Sequence, residues 1–328
     1  MQNTSTPKYL STYYFHGQDL CMVPRHVRED VAWMADHNVD GVYIGVHDAD
    51  LFGGNTAMVC DIVREAGLDV WLIPSRLGGL MAGWGRQPSF LSVNHPEWWA
   101  RNADGSVRNF YGPQVSVFRP EVPDALADTV TQMLERFPAS GIIWDELKTL
   151  DGQDHSRWAL DALGRPAAEA DMTEATVRVF SRVNQRLKQR FDTLRIACFL
   201  YADSPQSHVD ACAAIDLLDE FGCDGKCFHP GESASGEGGD QKVLLGGNDA
   251  RFAAAAERYG LVPYTLLETQ KLDNAALALS LKRLPEFLAQ KRGHLTYYYY
   301  PYGLTDPEQY MPRFGQALAG WRRGEGRG

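Results

Sequence analysis

The chain is short of positive charge. It has 32 Lys and Arg residues against 42 Asp and Glu residues, which gives a net charge of −10. Nucleic acids and anionic membranes attract positive protein surfaces, so both are disfavoured as partners and a neutral substrate is favoured. No apolar run is long enough to cross a bilayer, and the start MQNTSTPKYL lacks the basic and apolar segments of a signal peptide. We therefore expect a cytoplasmic protein.

Several motifs are also missing. There is no glycine-rich phosphate turn after the first predicted strand and no Gly-x-Ser-x-Gly elbow, which disfavours a nucleotide site and a Ser-His-Asp hydrolase. The six cysteines are scattered, so we expect reduced thiols and no disulfide scaffold. We predict no cofactor.

Short apolar runs alternate with amphipathic segments along the whole chain. Consecutive strand–helix pairs predict a parallel sheet, and eight pairs predict closure into a single-domain α/β (β/α)₈ TIM barrel over residues 1–328. The alternative, an open doubly wound sheet, is weakened by the missing phosphate turn. The predicted strands are Tyr9–Phe15, Gly41–Val46, Asp69–Pro74, Gly141–Trp144, Arg195–Tyr201, Ile215–Leu218, Pro263–Leu267 and Leu295–Tyr300.

Long loops are predicted after strands three, four and six, at Ser75–Pro120, Glu146–Met172 and Asp219–Asp249. In a barrel these loops lie on the C-terminal face, where active sites are built. Residues 76–119 are rich in aromatic side chains, so we expect a loop subdomain or lid over that face rather than disorder.

Acidic residues stand where three predicted strands end. Asp145 and Glu146 follow strand four, Glu220 follows strand six, and Glu268 follows strand seven. An acid directly after a buried strand costs desolvation energy, and catalysis is the usual reason for it at a barrel's C-terminal rim. The alternative to catalysis is that these acids form ion pairs at the rim of the barrel, for example with Lys148.

Glu146 and Glu268 resemble, in their placement, the acid pair of the clan of retaining β-glycosidases with barrel folds. That clan usually has Asn before the strand-four Glu, where this chain has Asp145. The segments HPEWWARNADGSVRNFYG, VSVFRPEVPDALADTVTQMLERF and GIIWDELK also resemble the core of glycosidase-like bacterial barrels. The resemblance implies that Glu146 is the acid/base and Glu268 the nucleophile of a glycoside hydrolase, with carbohydrate as the binding partner.

A second resemblance gives a competing assignment. Barrel α-glycosidases often have an Asp nucleophile at the end of strand four and the acid after strand six, which Asp145 with Asp219 or Glu220 would fit. Adjacent strand residues point to opposite sides, so only one of Asp145 and Glu146 is expected to face the site squarely. We favour Glu146.

Other residues near the predicted strand ends are candidates for binding sugar. Tryptophan and tyrosine are frequent in the loops (8 and 14 residues in all), and their rings suit the apolar faces of sugars, although loop packing is the simpler explanation for any one ring. The candidates are His47 (with Asp48), Arg76, Trp84, Trp144, Tyr201, Asp203, Tyr298 and Tyr300.

Two alternatives to hydrolysis remain open. A divalent-metal-dependent sugar isomerase or epimerase could take Glu146, His208 and Glu268 as ligands, and a barrel could bind carbohydrate without turning it over. Cys223, Cys227 and His229 have a spacing similar to that of zinc ligands, but no fourth ligand is evident, so no metal site is predicted. A homo-oligomer is compatible with the sequence.

Overall fold

The computed structural model describes residues 7–14, 22–85, 87–228, 243–244, 248–269, 272–299 and 307–324. Within these residues eight parallel strands close into a barrel in which neighbours in sequence are neighbours in space, which confirms the predicted (β/α)₈ fold. The strands are β1 Tyr9–Tyr14, β2 Gly41–Val46, β3 Asp69–Pro74, β4 Gly141–Asp145, β5 Arg195–Tyr201, β6 Glu220–Gly225, β7 Val262–Leu267 and β8 His294–Tyr298.

Helices cover the outside of the barrel. Their apolar faces pack on the outward side chains of the strands in one large cluster, as expected for strands buried on both faces. None of the described helices is both long and apolar enough to cross a membrane. The helices are α1 Pro24–Asp36, α2 Asn55–Glu65, α3 Phe90–Val93, α4 Val122–Arg136, α5 Arg157–Leu163, α6 Glu169–Arg190, α7 Gln206–Ala213, α8 Asn248–Arg258, α9 Asn274–Gln290 and α10 Pro307–Arg323.

The barrel interior is filled by large aromatic rings, including those of Tyr43, Trp71 and Tyr264. Rings of this size fit only where neighbouring strands offer no side chain. A Cβ on Gly222 would overlap the carbonyl oxygen of Tyr264, and a Cβ on Gly141 would lie 2.5 Å from the Trp71 ring. Gly141 therefore makes room for the Trp71 ring, and Gly222 allows the backbone of β7 to approach closely.

Strand six is not where the sequence pattern placed it. The predicted strand Ile215–Leu218 is a turn after α7, with Leu217 in a left-handed conformation (φ +60°) and half exposed. The observed strand, Glu220–Gly225, contains two acids and two glycines, a composition that β propensity disfavours. It forms because partners from other strands compensate the buried Glu220, and no local pattern shows those partners. The loop after strand six therefore follows Gly225 rather than Leu218.

The loop after β3 is folded and packs beside the end of β4. The backbone N–H of Ala82 donates to the carbonyl of Asp145 (2.6 Å), and Met81 forms an antiparallel bridge with Leu147. Further along, Ser116 donates to a carboxylate oxygen of Asp154 in the loop after β4 (2.6 Å). The two long loops thus form one packed layer, and the lid role of residues 76–119 stays a prediction.

Candidate active site

Three acids continue the inward-facing series of their strands. Side chains alternate along a strand, and Ile143 and Leu266 belong to the interior cluster. Asp145 lies two residues after Ile143, and Glu268 lies two residues after Leu266. Asp224 lies two residues after the inward Gly222. All three carboxylates therefore lie on the axial side at the C-terminal end of the barrel.

The pKa of Tyr298, at the end of β8, indicates that these acids lie near one another. Burial raises the pKa of the Tyr298 hydroxyl well above its ordinary value, and the charges of nearby carboxylates raise it further. Coulomb interactions weaken with distance, so the four acids lie in the neighbourhood of this one phenol. In decreasing order of effect, these acids are Asp145, Glu268, Asp224 and Glu146.

Glu146 reaches the site in a different way. Its backbone is left-handed (φ +46°), so the strand ends there and the alternation is broken. Its carboxylate pairs with Lys148 Nζ at 2.6 Å, and Lys148 also donates to the Tyr201 hydroxyl at 2.9 Å. A cation at this distance favours the ionised carboxylate. Glu146 is therefore better suited to holding charge than to donating a proton.

Arg76 lies opposite this pair, after β3. Its guanidinium is stacked on the Tyr111 ring, 3.5 Å from the centroid. Burial lowers the pKa of the Arg76 guanidinium, while Tyr111, Asp145 and Glu146 act in the opposite direction, so the two acids are close to it. Arg76 is 9% exposed, and its Nε and Nη1 have no hydrogen-bond partner among the described residues.

His47 follows β2, next to Ser75, since the Ser75 N–H donates to the carbonyl of Val46. Its Nδ1 lies 2.9 Å from Asp48 Oδ1 and 3.3 Å from the Ala49 backbone nitrogen. The Ala49 N–H donates to Nδ1, so we assign the proton of the neutral ring to Nε2. The Nε2 atom is buried and has no partner within the described part of the chain.

Two of the predicted site residues lie elsewhere, and both predictions are wrong. Glu220 begins β6, at the N-terminal end of the barrel, where its buried carboxylate bonds His294 Nδ1 and Arg195. Trp144 points outward and is fully buried against α6, where its Nε1 donates to Asn184 Oδ1 at 2.9 Å. The first error follows from the misplaced strand six and the second from strand alternation.

The remaining candidates divide by position. Tyr201 and Tyr298 lie among the acids. Trp84 is half-buried, and its backbone N–H donates to Ser75 Oγ at the end of β3 (3.1 Å). Asp203 is exposed on the turn after β5, and Tyr300 lies outside the described residues.

Asp224 was missed by sequence reasoning. The series Glu220, Gly222, Asp224 alternates correctly for an inner barrel face, and the small glycine between two acids was the available signal. That signal is weak because Glu and Gly are poor strand formers, so the apolar run before them was chosen instead.

The three residues considered as metal ligands of an isomerase do not lie together. His208 lies on α7 with its Nε2 3.2 Å from Glu169, whereas Glu146 and Glu268 lie at the barrel mouth. No group of three His, Cys, Asp or Glu side chains in the described ranges is placed to hold a metal ion. His229, of the zinc-like spacing, lies outside those ranges.

No protein-family model matches the chain, and no curated protein matches it. Several solved structures are similar to it. The catalytic domain of a β-amylase from Paenibacillus polymyxa has a TM-score of 0.61 at 10% identity, over 97% of this chain and 98% of that one. A β-galactosidase from Halorubrum lacusprofundi has a TM-score of 0.61 at 12% identity, over 96% of this chain and 57% of that one.

An α-galactosidase from Lactobacillus brevis has a TM-score of 0.55 at 12% identity, over 98% of this chain and 41% of that one. The chain thus spans well under two thirds of both galactosidases and nearly all of the β-amylase domain. At these identities the likeness establishes the barrel fold, and the function has to be argued from the site.

Proposed function

We propose that the protein is a glycoside hydrolase in which Asp145 and Glu268 are the two reacting carboxylates. The observation that carries the proposal is their shared position: both side chains follow inward-facing strand residues, and both act on the same buried Tyr298 hydroxyl. Strands four and seven are separated by two strands in the closed barrel, and we propose that a sugar ring lies between the two acids. The structural neighbours named above, a β-amylase, a β-galactosidase and an α-galactosidase, support this reaction class.

The roles that we propose rest on the surroundings of Asp145. Arg76 is close enough to Asp145 to interact with its charge, and a neighbouring cation favours the ionised carboxylate needed by a nucleophile. Glu268 then acts as the acid that protonates the leaving oxygen. This exchanges the roles expected from the β-glycosidase resemblance and follows the α-glycosidase pattern at strand four. The charges of both groups act on the Tyr298 hydroxyl, which can hydrogen-bond charge that develops on the sugar.

Asp145 replaces Glu146 as the preferred strand-four acid for a geometric reason. Asp145 keeps the inward direction of Ile143, whereas the left-handed Glu146 is held by Lys148. Asp224 is the next candidate for the acid, because it ends β6 beside Glu268 and is almost fully buried.

The test is hydrolysis of nitrophenyl α- and β-glycosides by wild type and by Asp145→Asn, Glu268→Gln, Asp224→Asn and Glu146→Gln. We expect Asp145→Asn to lose several orders of magnitude in kcat. Glu268→Gln should lose most activity on poor leaving groups and less on nitrophenolate, since a good leaving group needs little protonation. Wild-type activity should survive EDTA.

Retention of the anomeric configuration is part of the proposal and is measured separately. The anomer first released, followed by NMR, should match that of the substrate, and azide should restore turnover to the acid/base variant with a retained glycosyl azide as product. If Asp224→Asn, and not Glu268→Gln, loses more activity on poor leaving groups than on nitrophenolate, then Asp224 on β6 is the acid. Full activity of Asp145→Asn would refute the assignment. Sugar binding without turnover by wild type would identify a carbohydrate-binding barrel.

A further inference from the structure

The ends of β2 and β3 present buried nitrogen atoms without acceptors. These are Nε2 of His47, on a residue 2% exposed, and Nε and Nη1 of Arg76, on a residue 9% exposed, and none has a partner among the described residues. A guanidinium stays charged in proteins, so leaving its donors buried and unpaired is costly. A bound ligand that supplies oxygen atoms removes this cost.

The position of Arg76 indicates what the ligand offers. One face of the guanidinium is covered by Tyr111, so its edge is the side that remains for hydrogen bonding. Nε and Nη1 lie on different edges of the guanidinium, so each offers a donor to a separate oxygen atom, and the positive charge favours an anionic group on the ligand. Arg76 also lies close to Asp145, so a group bound to this edge is close to the reacting end of the sugar.

We infer that the site takes an acidic sugar, a glycoside whose ring carries a carboxylate, and that Arg76 is the residue that selects it. His47, whose Nδ1 accepts from the Ala49 N–H, offers its Nε2–H as a donor to an oxygen atom of the sugar beside that carboxylate. This inference rests on the proposed function for the orientation of the sugar. It departs from the neutral substrate that the net charge favours, because net charge sets the long-range field whereas buried donors decide what binds.

The experiment compares ligands that differ at one carbon. Methyl 1-thio-glucuronides and 1-thio-galacturonides of both anomers are titrated calorimetrically into the wild-type protein, beside the matching thio-glucosides and thio-galactosides. Thioglycosides resist hydrolysis, so binding is measured whether or not the protein is a hydrolase. We expect one uronide to bind about 10- to 100-fold more tightly than its neutral partner, the range of a charge-assisted pair.

Arg76→Gln should abolish that preference by weakening the uronide alone, and Arg76→Lys should keep part of it because the charge remains while the fixed planar donors are lost. Arg119→Gln is the matched control, since Arg119 lies in the same loop as Arg76 and also stacks on an aromatic ring, that of Trp158 in α5 (3.8 Å). It should bind both sugars as wild type does.

Three outcomes overturn the inference: no uronide binds, neutral and acidic sugars bind alike, or Arg76→Gln weakens both equally. Selective uronide binding by a protein that hydrolyses no nitrophenyl glycoside, nitrophenyl uronides of both anomers included, would keep the inference and remove the proposed function. Hydrolysis of neutral glycosides with no uronide preference would keep the proposed function and remove the inference.

Discussion

Replacing Glu220 with Gln should weaken the fold and spare the catalytic chemistry. Its carboxylate, 0% exposed, bonds the equally buried His294 and also Arg195, whose side chain is 35% exposed. A charge-assisted bond between buried groups contributes about 1.5–3 kcal/mol, and the partly screened arginine pair adds about 0.5–1 kcal/mol. Because Gln keeps the shape and one acceptor oxygen, we expect the free energy of unfolding to fall by about 2–3 kcal/mol at pH 7.

The assay is urea denaturation followed by tryptophan fluorescence, together with turnover per folded molecule. Glu174→Gln is the matched control, because the Glu174 side chain is 74% exposed in its pair with Arg178 and its loss should change stability by less than about 0.5 kcal/mol. A Glu220→Gln protein that is as stable as wild type and inactive would refute the reasoning, since it would return Glu220 to the active site.

The same replacement has a pH signature. Burial by itself raises the pKa of the Glu220 carboxyl, but His294 and Arg195 outweigh burial and hold this pKa below its ordinary value of 4.5. The stabilisation is therefore complete above pH 4.5 and is lost as the pH falls through the lower folded-state pKa. The stability difference between wild type and Glu220→Gln should be constant near neutral pH and shrink in acid. A difference that grows on acidification would contradict this sign.

Three further changes test the description of the barrel. Trp144→Ala should cost about 3–5 kcal/mol of unfolding free energy, because it empties a buried site against α6; sugar affinity of the folded fraction should not change, and a specific loss of affinity would make Trp144 a binding residue after all. Gly222→Ala should yield little soluble protein, since its Cβ overlaps the Tyr264 carbonyl; wild-type thermal stability would show that the inner packing is described wrongly. Tyr298→Phe should lower kcat by about 10²-fold with an unchanged melting temperature; unchanged kcat would remove the hydroxyl from the mechanism.

The sequence was most informative where strands are apolar and regular. The strands Gly41–Val46, Asp69–Pro74 and Arg195–Tyr201 were predicted with the bounds that the structure has. The acids Asp145, Glu146 and Glu268 were found because each directly follows such a strand. Strand six failed because its sequence, EFGCDG, is held by contacts with distant strands. Because strand six was misplaced, Glu220 was wrongly predicted as a site residue and Asp224 was missed.

What the sequence by itself determined is the architecture, because eight apolar runs separated by amphipathic helices have few ways to bury both faces. What only the tertiary structure decided is which acids meet. A one-residue change in where a strand begins reverses the direction of each side chain on it. Closure of the barrel then brings Asp145, Asp224 and Glu268 around Tyr298 and sends Glu220 to the opposite end, to His294 and Arg195. These partners lie far apart along the chain, so their meeting depends on the closed sheet and not on any local pattern.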